Sequence, residues 1–296
     1  MTNNKFKGEY LSHTSDLNTL RNDNVYVKSN VVNLTELTGM PSRKGLERAI
    51  ISEGTIVNVV SDTYGHLPNE DFFAEMERAL INADLNYATR SINRDNRSFR
   101  VDHILNDERY VVKVKGDGKD ILRPMITGIN SYDGSNKTTG YLGFFRKVCS
   151  NGLHVAQTKV GFAIYHRGDV ARVVMPEIRQ LVKTFMDNEF YQLSRKFEVM
   201  AETPITNLEG WVKLTADHFK LFTFEKSEKN PAPSLNAQIV IDTVRKEANQ
   251  LGTQPNVWLG YNAINALLNG KLKKTFTQQA ELDNKIFAEI LTVPTN

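Results

Sequence analysis

Apolar residues along this chain change their period twice, which divides it into a polar start leading to one helix, a strand-rich middle and a helical end. Before Arg43 the apolar pieces are short, Val25-Tyr26-Val27 and Val31-Val32, set among Asn, Thr and Ser. Such a segment predicts an arm over residues 1–43 that packs on a neighbour or partner. Thr55–Val60 predicts a strand, with a turn at Asp62-Thr63-Tyr64-Gly65. Asn69 is placed to cap the next helix, with Glu70 and Asp71 in a first turn that favours negative charge. Phe72, Met76, Leu80, Ala83 and Tyr87 then recur at helical spacing and predict one buried stripe.

From about Ser98 to His166 the pattern shortens to β-branched and aromatic runs. They are separated by Asn106-Asp107, Gly116-Asp117-Gly118, Asp133-Gly134 and Asn151-Gly152, which predicts five or six antiparallel strands. Asp-Gly and Asn-Gly readily supply the positive φ of tight hairpins. Pro124 cannot donate to a ladder, so it is expected at an edge, a strand start or a bulge.

Pro176 suits the first turn of a long helix with Ile178, Leu181, Phe185, Leu193 and Phe197 on its apolar face. Thr206-Asn207-Leu208-Glu209 has capping-box form ahead of Leu208, Trp211, Thr215, Phe219 and Phe222. Glu225–Pro233 is charged and proline-containing and reads as a linker. Leu235–Leu251, Val257–Leu268 and Thr275–Leu291 predict three further helices, parted by stop signals at Gly252 and Asn269-Gly270. The expected fold is α+β: an antiparallel β-meander packed by long helices in residues 44–224, followed by a smaller helical C-terminal region, residues 234–296.

Several separated motifs carry a resemblance. Asn130-Ser131-Tyr132-Asp133-Gly134, then Cys149-Ser150-Asn151-Gly152-Leu153, then Thr206–Phe222, Gly252-Thr253, Trp258 and Tyr261-Asn262-Ala263-Ile264-Asn265 fall in a characteristic order. In this the chain resembles the phage- and plasmid-encoded proteins collected as domain of unknown function 932, best from about Asn130 to the C-terminus. The resemblance implies a phage or mobile-element protein and assigns no activity. Antiparallel strands leading into a covering helix also resemble, at the level of fold alone, the single-strand annealing recombinases, which form rings around a nucleic-acid groove.

Composition narrows the class. With 296 residues, 40% hydrophobic and 24% charged, the chain can bury a sizeable core. A single cysteine, Cys149, rules out intrachain disulfides and cysteine-cluster metal sites and fits a reducing compartment. The first residues lack an apolar core of signal-peptide length, and no run approaches the roughly 18 apolar residues of a membrane span. A cytoplasmic protein without membrane contact is expected, in the host cytoplasm if phage-encoded. A net charge of +3 permits nucleic-acid binding without demanding it.

Catalytic signals are weak. Cys149 and His154 fall near the ends of neighbouring strands, where a cysteine is usually just packed. Asp62, His66, Asp102 and His103 lack any metal-ligand cadence. Gly116-Asp117-Gly118-Lys119 lacks phosphate-loop spacing, and Arg167-Gly168-Asp169 reads as a turn. No catalytic residue, metal ligand or cofactor is therefore assigned.

The basic residues carry the strongest signal. Arg90, Arg94, Arg97 and Arg100 cluster among Asn and Ser, and Lys113, Lys115, Arg123, Lys137, Arg146 and Lys147 follow on the strands. Tyr87, Phe99, Tyr110, Tyr132, Tyr141, Phe144 and Phe145 are interleaved with them. Cations tracking a backbone with rings stacking on bases is what single-stranded nucleic acid requires, although the same alternation also suits a sheet with cations outward and rings inward. The leading expectation is a non-catalytic, homo-oligomeric protein that binds nucleic acid, preferentially single-stranded DNA. The alternatives are an oligomeric protein-binding factor, such as an inhibitor of host defence or a structural accessory protein, and behind it a metal-dependent nuclease.

Overall fold

The computed structural model describes residues 20–114, 120–146, 152–153, 161–186, 191–227 and 230–296. The expected turns at Gly116–Lys119 and Asn151, and the residues Lys115, Lys147, Cys149 and His154, lie outside the described residues, as does the arm before residue 20.

The fold is α+β, as the pattern predicts. A small antiparallel sheet comes first, from β1 (Ser29–Asn33), β2 (Arg48–Ser52) and β3 (Thr55–Val60), with the short helix α1 (Leu34–Thr38) between β1 and β2. After α2 (Asn69–Asn82) the chain builds a seven-stranded antiparallel sheet. Its strands are β4 (Tyr87–Arg94), β5 (Ser98–Leu105), β6 (Val112–Lys113), β7 (Ile121–Ser131), β8 (Thr138–Arg146), β9 (Gly152–Leu153) and β10 (Gly161–Ile164). The order is β10-β8-β7-β5-β4, with β6 pairing β7 and β9 pairing β8.

β4 falls where the sequence pattern predicts no strand, and Tyr87 opens it instead of closing the preceding helix. Pro124 lies within β7, at a break in the ladder. β5 pairs with β7 as far as Met125, β6 begins pairing at Leu122, and Pro124 sits in the gap. Asp133-Gly134 turns the chain as expected, Gly134 at φ 72°, but residues 132–137 make a longer loop, held by Ser131 Oγ bonding the carbonyl and amide of Asn136.

One face of the large sheet is covered by α2 and by α3 (Val170–Met186). Gly128 and Gly140 are paired across β7 and β8 and give the room. A Cβ on Gly128 would overlap the Met76 thioether of α2, and one on Gly140 would overlap the Phe162 ring beside Leu181 of α3. Pro176 lies seven residues into α3, not in its first turn, and the apolar face through Ile178, Leu181 and Phe185 passes to Phe197 on a separate helix, α4 (Tyr191–Glu202).

The arm is corrected from residue 20 onward: it packs on its own chain. Val25 and Val27 are buried, and Asp23 N–H and Ser91 N–H bond the carbonyls of Ser91 and Arg21, lining the outer edge of β4. Asn69 does not cap α2; Pro68 holds the cap position. The Asn69 amide donates instead to the Val25 carbonyl and accepts from Asn130 Nδ2, while Tyr132 Oη accepts the Asn69 N–H and donates to the Val27 carbonyl. Propensity alone cannot anticipate a polar side chain claimed by partners 44 and 61 residues away.

The C-terminal half is helical. α5 (Leu208–Phe219) is capped by Asn207, one residue later than the capping-box reading, with its side chain accepting from Gly210 N–H. Glu225–Pro233, expected as a linker, contains a short antiparallel pair, β11 (Glu225–Ser227) and β12 (Asn230–Pro233). Then come α6 (Leu235–Leu251), α7 (Val257–Gly270) and α8 (Phe276–Glu289), close to the expected spans. The core is continuous between the two halves: Phe197 meets Phe144 of β8, Trp258 of α7 and Phe287 of α8 with ring centroids 5.0–5.6 Å apart. Among the described residues no helix is long and apolar enough to cross a membrane.

Candidate nucleic-acid interface

The sheet sorts the basic residues by face and by end. Arg90 of β4, Asp102 of β5 and Thr127 of β7 lie in one cross-strand row. Arg90 Nε and Nη2 donate to Asp102 Oδ2 at 2.8 and 2.6 Å, and Arg100 Nε and Thr127 Oγ1 donate to Oδ1 at 2.8 and 2.7 Å. Burial disfavours the charge on both guanidiniums. At Arg100 the adjacent Asp102 outweighs it and the pKa rises; at Arg90 burial prevails and the pKa falls.

Arg100 is therefore corrected from phosphate ligand to buried ion-pair partner, and so is Arg146. The latter is fully buried, its Nε and Nη2 forking onto Asp120 at 2.7 and 2.6 Å and its Nη1 reaching Glu247 of α6 at 2.5 Å. Trp258 Nε1 donates to the same Asp120 at 2.7 Å. Arg123 is mostly buried and pairs with Glu108. Lys113 is exposed, but with Arg123 and Arg146 it sits at the start of β7, whose eleven residues span roughly 35 Å.

At the other end of β7 a different set converges. The β4–β5 hairpin turns through Asp95 and Asn96, both at φ 55°, and carries Arg94 and the exposed Arg97. Arg94 lies over the Phe276 ring, 3.7 Å from its centroid, and its Nη1 donates to the Lys274 carbonyl at 3.0 Å. Burial first, then the nearby Arg100 and Arg21 charges, lowers its pKa. The contact joins the hairpin to the α7–α8 loop, where Lys271 and Lys273 are exposed and Lys274 half-buried. Arg97, Lys271 and Lys273 form no ion pair among the described residues. Sequence reasoning misses these lysines, though the run Lys271-Leu272-Lys273-Lys274 after a helix stop is a visible signal.

Asn136 knits the remaining pieces together. Its Nδ2 donates to Ser98 Oγ of β5 at 2.7 Å, and its Oδ1 accepts the Thr277 N–H of α8 at 2.9 Å. Thr275 and Gln278 close a capping box on the same turn. Beside it lies a cleft of about 340 Å³, walled by the first turn of α8, by Lys137 and by residues 165–167 after β10. Lys137 pairs with Glu281 at 3.1 Å, which raises its pKa, and lies 4.9 Å from the Tyr165 ring centroid. Tyr64 and His166 stack at 5.2 Å, nearly parallel. Arg48 of β2 fixes the Tyr64 loop by donating to the carbonyls of Ser61, Asp62 and Tyr64.

The expected stacking rings are corrected too. Phe99, Tyr132, Tyr141, Phe144 and Phe145 are all buried, and Tyr87 and Tyr110 are partly buried. Tyr165, 64% exposed, is the large ring that stands beside cations in solvent. The four residues weighed as metal ligands are not brought together: Asp102 and His103 point to opposite faces of β5, and no cluster of three or more candidate ligands occurs among the described residues.

Fold and surface define an α+β protein whose largest antiparallel sheet carries a basic ridge and a cleft at the β4–β5 hairpin end. The chain matches the model of the family described as Domain of unknown function (DUF932) over residues 56–285 and belongs to that family. The match reaches well upstream of the motifs that carry the resemblance from Asn130, and takes in β3, α2 and the basic hairpin. No curated protein and no solved structure matches the chain.

Proposed function

We propose that this protein binds nucleic acid, single-stranded DNA in preference to duplex, without catalysing bond chemistry. The observation that supports it is the Arg94 contact, which joins the β4–β5 hairpin, carrying Arg97, to the α7–α8 loop, carrying Lys271, Lys273 and Lys274. Arg97, Lys271 and Lys273, exposed and without an ion pair among the described residues, come from elements about 180 residues apart joined by a guanidinium and are suited to a polyanion. The exposed Tyr165, adjoining the ridge through Thr275, favours single strands, whose bases are free to stack. In this reading the protein serves a phage or other mobile element in the host cytoplasm. It works as a homo-oligomer, since β10 pairs only with β8 among the described residues and leaves an edge for another copy.

The test is fluorescence anisotropy of labelled single-stranded and duplex DNA across a salt series. The triple variant Arg97→Ala/Lys271→Ala/Lys273→Ala removes three exposed charges without touching the core. It should weaken binding to all sequences alike and flatten the log–log salt slope by about 0.7 per lost contact for single strands. Absence of binding by the wild-type protein at low salt overturns the proposal and favours a protein partner. Light scattering that finds a monomer at micromolar concentration removes the oligomer.

A further inference from the structure

Tyr165 presents a large ring to solvent beside two cations, at the mouth of the cleft. Lys137 is paired with Glu281, so the positive charge there without an ion pair among the described residues is the exposed Arg167. α8 adds the field of its N-terminal end but few donors, because the Thr277 and Gln278 N–H groups are already taken by Asn136 and Thr275. Thr277 lines the cleft as a residue, but its hydroxyl is itself buried and offers nothing to a ligand there. At about 340 Å³ the cleft falls at the lower end of the small-ligand range, roughly 300–1,000 Å³.

We infer that the cleft holds one unpaired nucleotide: the base stacks on Tyr165 and the phosphate meets Arg167 with Lys137 behind it. An aromatic face takes any base and a cation fixes the phosphate, and a base already paired in a duplex has its faces covered by its neighbours. That the nucleotide belongs to a bound strand rests on the nucleic-acid reading above; a free 5′-nucleotide has the same chemistry.

The full-length protein and its Tyr165→Ala and Tyr165→Phe variants distinguish the outcomes, after circular dichroism shows all three folded alike. Tyr165→Ala should lower affinity for a single-stranded oligonucleotide by about 5- to 100-fold, with duplex affinity and the salt slope unchanged, while Tyr165→Phe keeps it. An oligonucleotide carrying 2-aminopurine should be quenched by wild type and not by Tyr165→Ala. If Tyr165→Ala binds single strands like wild type while the ridge triple variant does not, the cleft assignment is wrong and the ridge stands. If AMP alone raises the melting temperature in a Tyr165-dependent way but no oligonucleotide binds, the cleft takes a free nucleotide and the ridge reading falls. Neither AMP nor oligonucleotide binding overturns both.

Discussion

The Arg94 guanidinium lies 3.7 Å from the centre of the ring of Phe276, the first residue of α8. Arg94 thus acts on the surface charge and on the fold at once, whereas Arg97, three residues on, faces solvent. Arg94→Ala should cost about 1–2 kcal/mol of stability, from the cation–π contact and the hydrogen bond to Lys274, and weaken DNA binding as well. Arg97→Ala should weaken binding with stability unchanged to within about 0.5 kcal/mol. Urea titration paired with anisotropy separates the two effects.

Arg146 should affect stability without affecting the ridge. Arg146→Ala leaves Asp120 and Glu247 as buried carboxylates with no cation between them, a change that typically costs about 3–5 kcal/mol. Arg146→Met combined with Asp120→Asn and Glu247→Gln should recover part of that loss. If a folded Arg146 variant lost DNA affinity while keeping wild-type stability, the residue would return to the binding surface.

Acid should destabilise the protein through its buried histidines. Burial pushes the His103 imidazole down to about 4, and His66 to about 4. Both are neutral in the native state at neutral pH, while the unfolded chain protonates near 6.5. Between these values the unfolded state binds more protons, so stability is full above about pH 7 and falls as pH drops from 6.5 towards 4. His103, without solvent exposure, should account for a loss on the order of 3 kcal/mol across that window. Urea midpoints at pH 7.5, 6 and 5 should fall for wild type and fall less for His103→Gln.

Helix seating on the sheet depends on two side chains being absent. Gly140→Val places two methyl groups where the Phe162 ring lies against Leu181, and should destabilise by about 1–3 kcal/mol. Gly128→Ala should cost less, because Met76 is flexible enough to give way. Calorimetry orders the two variants, and the reverse order would contradict the packing described for α2 and α3.

Elements whose signals are local are legible in the sequence. α6 begins and ends at the expected residues because Ser234 caps one end and Gly252, at φ 64°, the other. β4 is hidden because its run Tyr87–Arg94 alternates too little in hydrophobicity. Arg90 becomes an inward-facing residue only through Asp102, twelve positions away. The same holds for the candidate site. The sequence marks Arg94, Arg97, Arg100, Arg123 and Arg146 alike as cations, and only tertiary pairing withdraws Arg100 and Arg146 from solvent while leaving Arg97 in it. Asn69 and Pro176 depart from what local signals predict for related reasons: distant partners claim the one, and helix α3 begins a turn and a half before the other.

The buried fork of Arg146 also settles how this molecule can be dissected. Its guanidinium belongs to β8, one of its carboxylates to α6, and the indole sharing the other carboxylate to α7. A cut between Ser227 and Asn230, where the amino-acid pattern invites one, would leave the N-terminal piece with Arg146 paired to Asp120 but without Glu247, Asp120 without the Trp258 indole, and an open flank around Phe144 and Phe197. The C-terminal piece would expose Trp258 and strand Glu247. Neither fragment should keep the fold by itself, so the linker-like stretch joins two halves of one folding unit and does not mark a place where the chain can be divided.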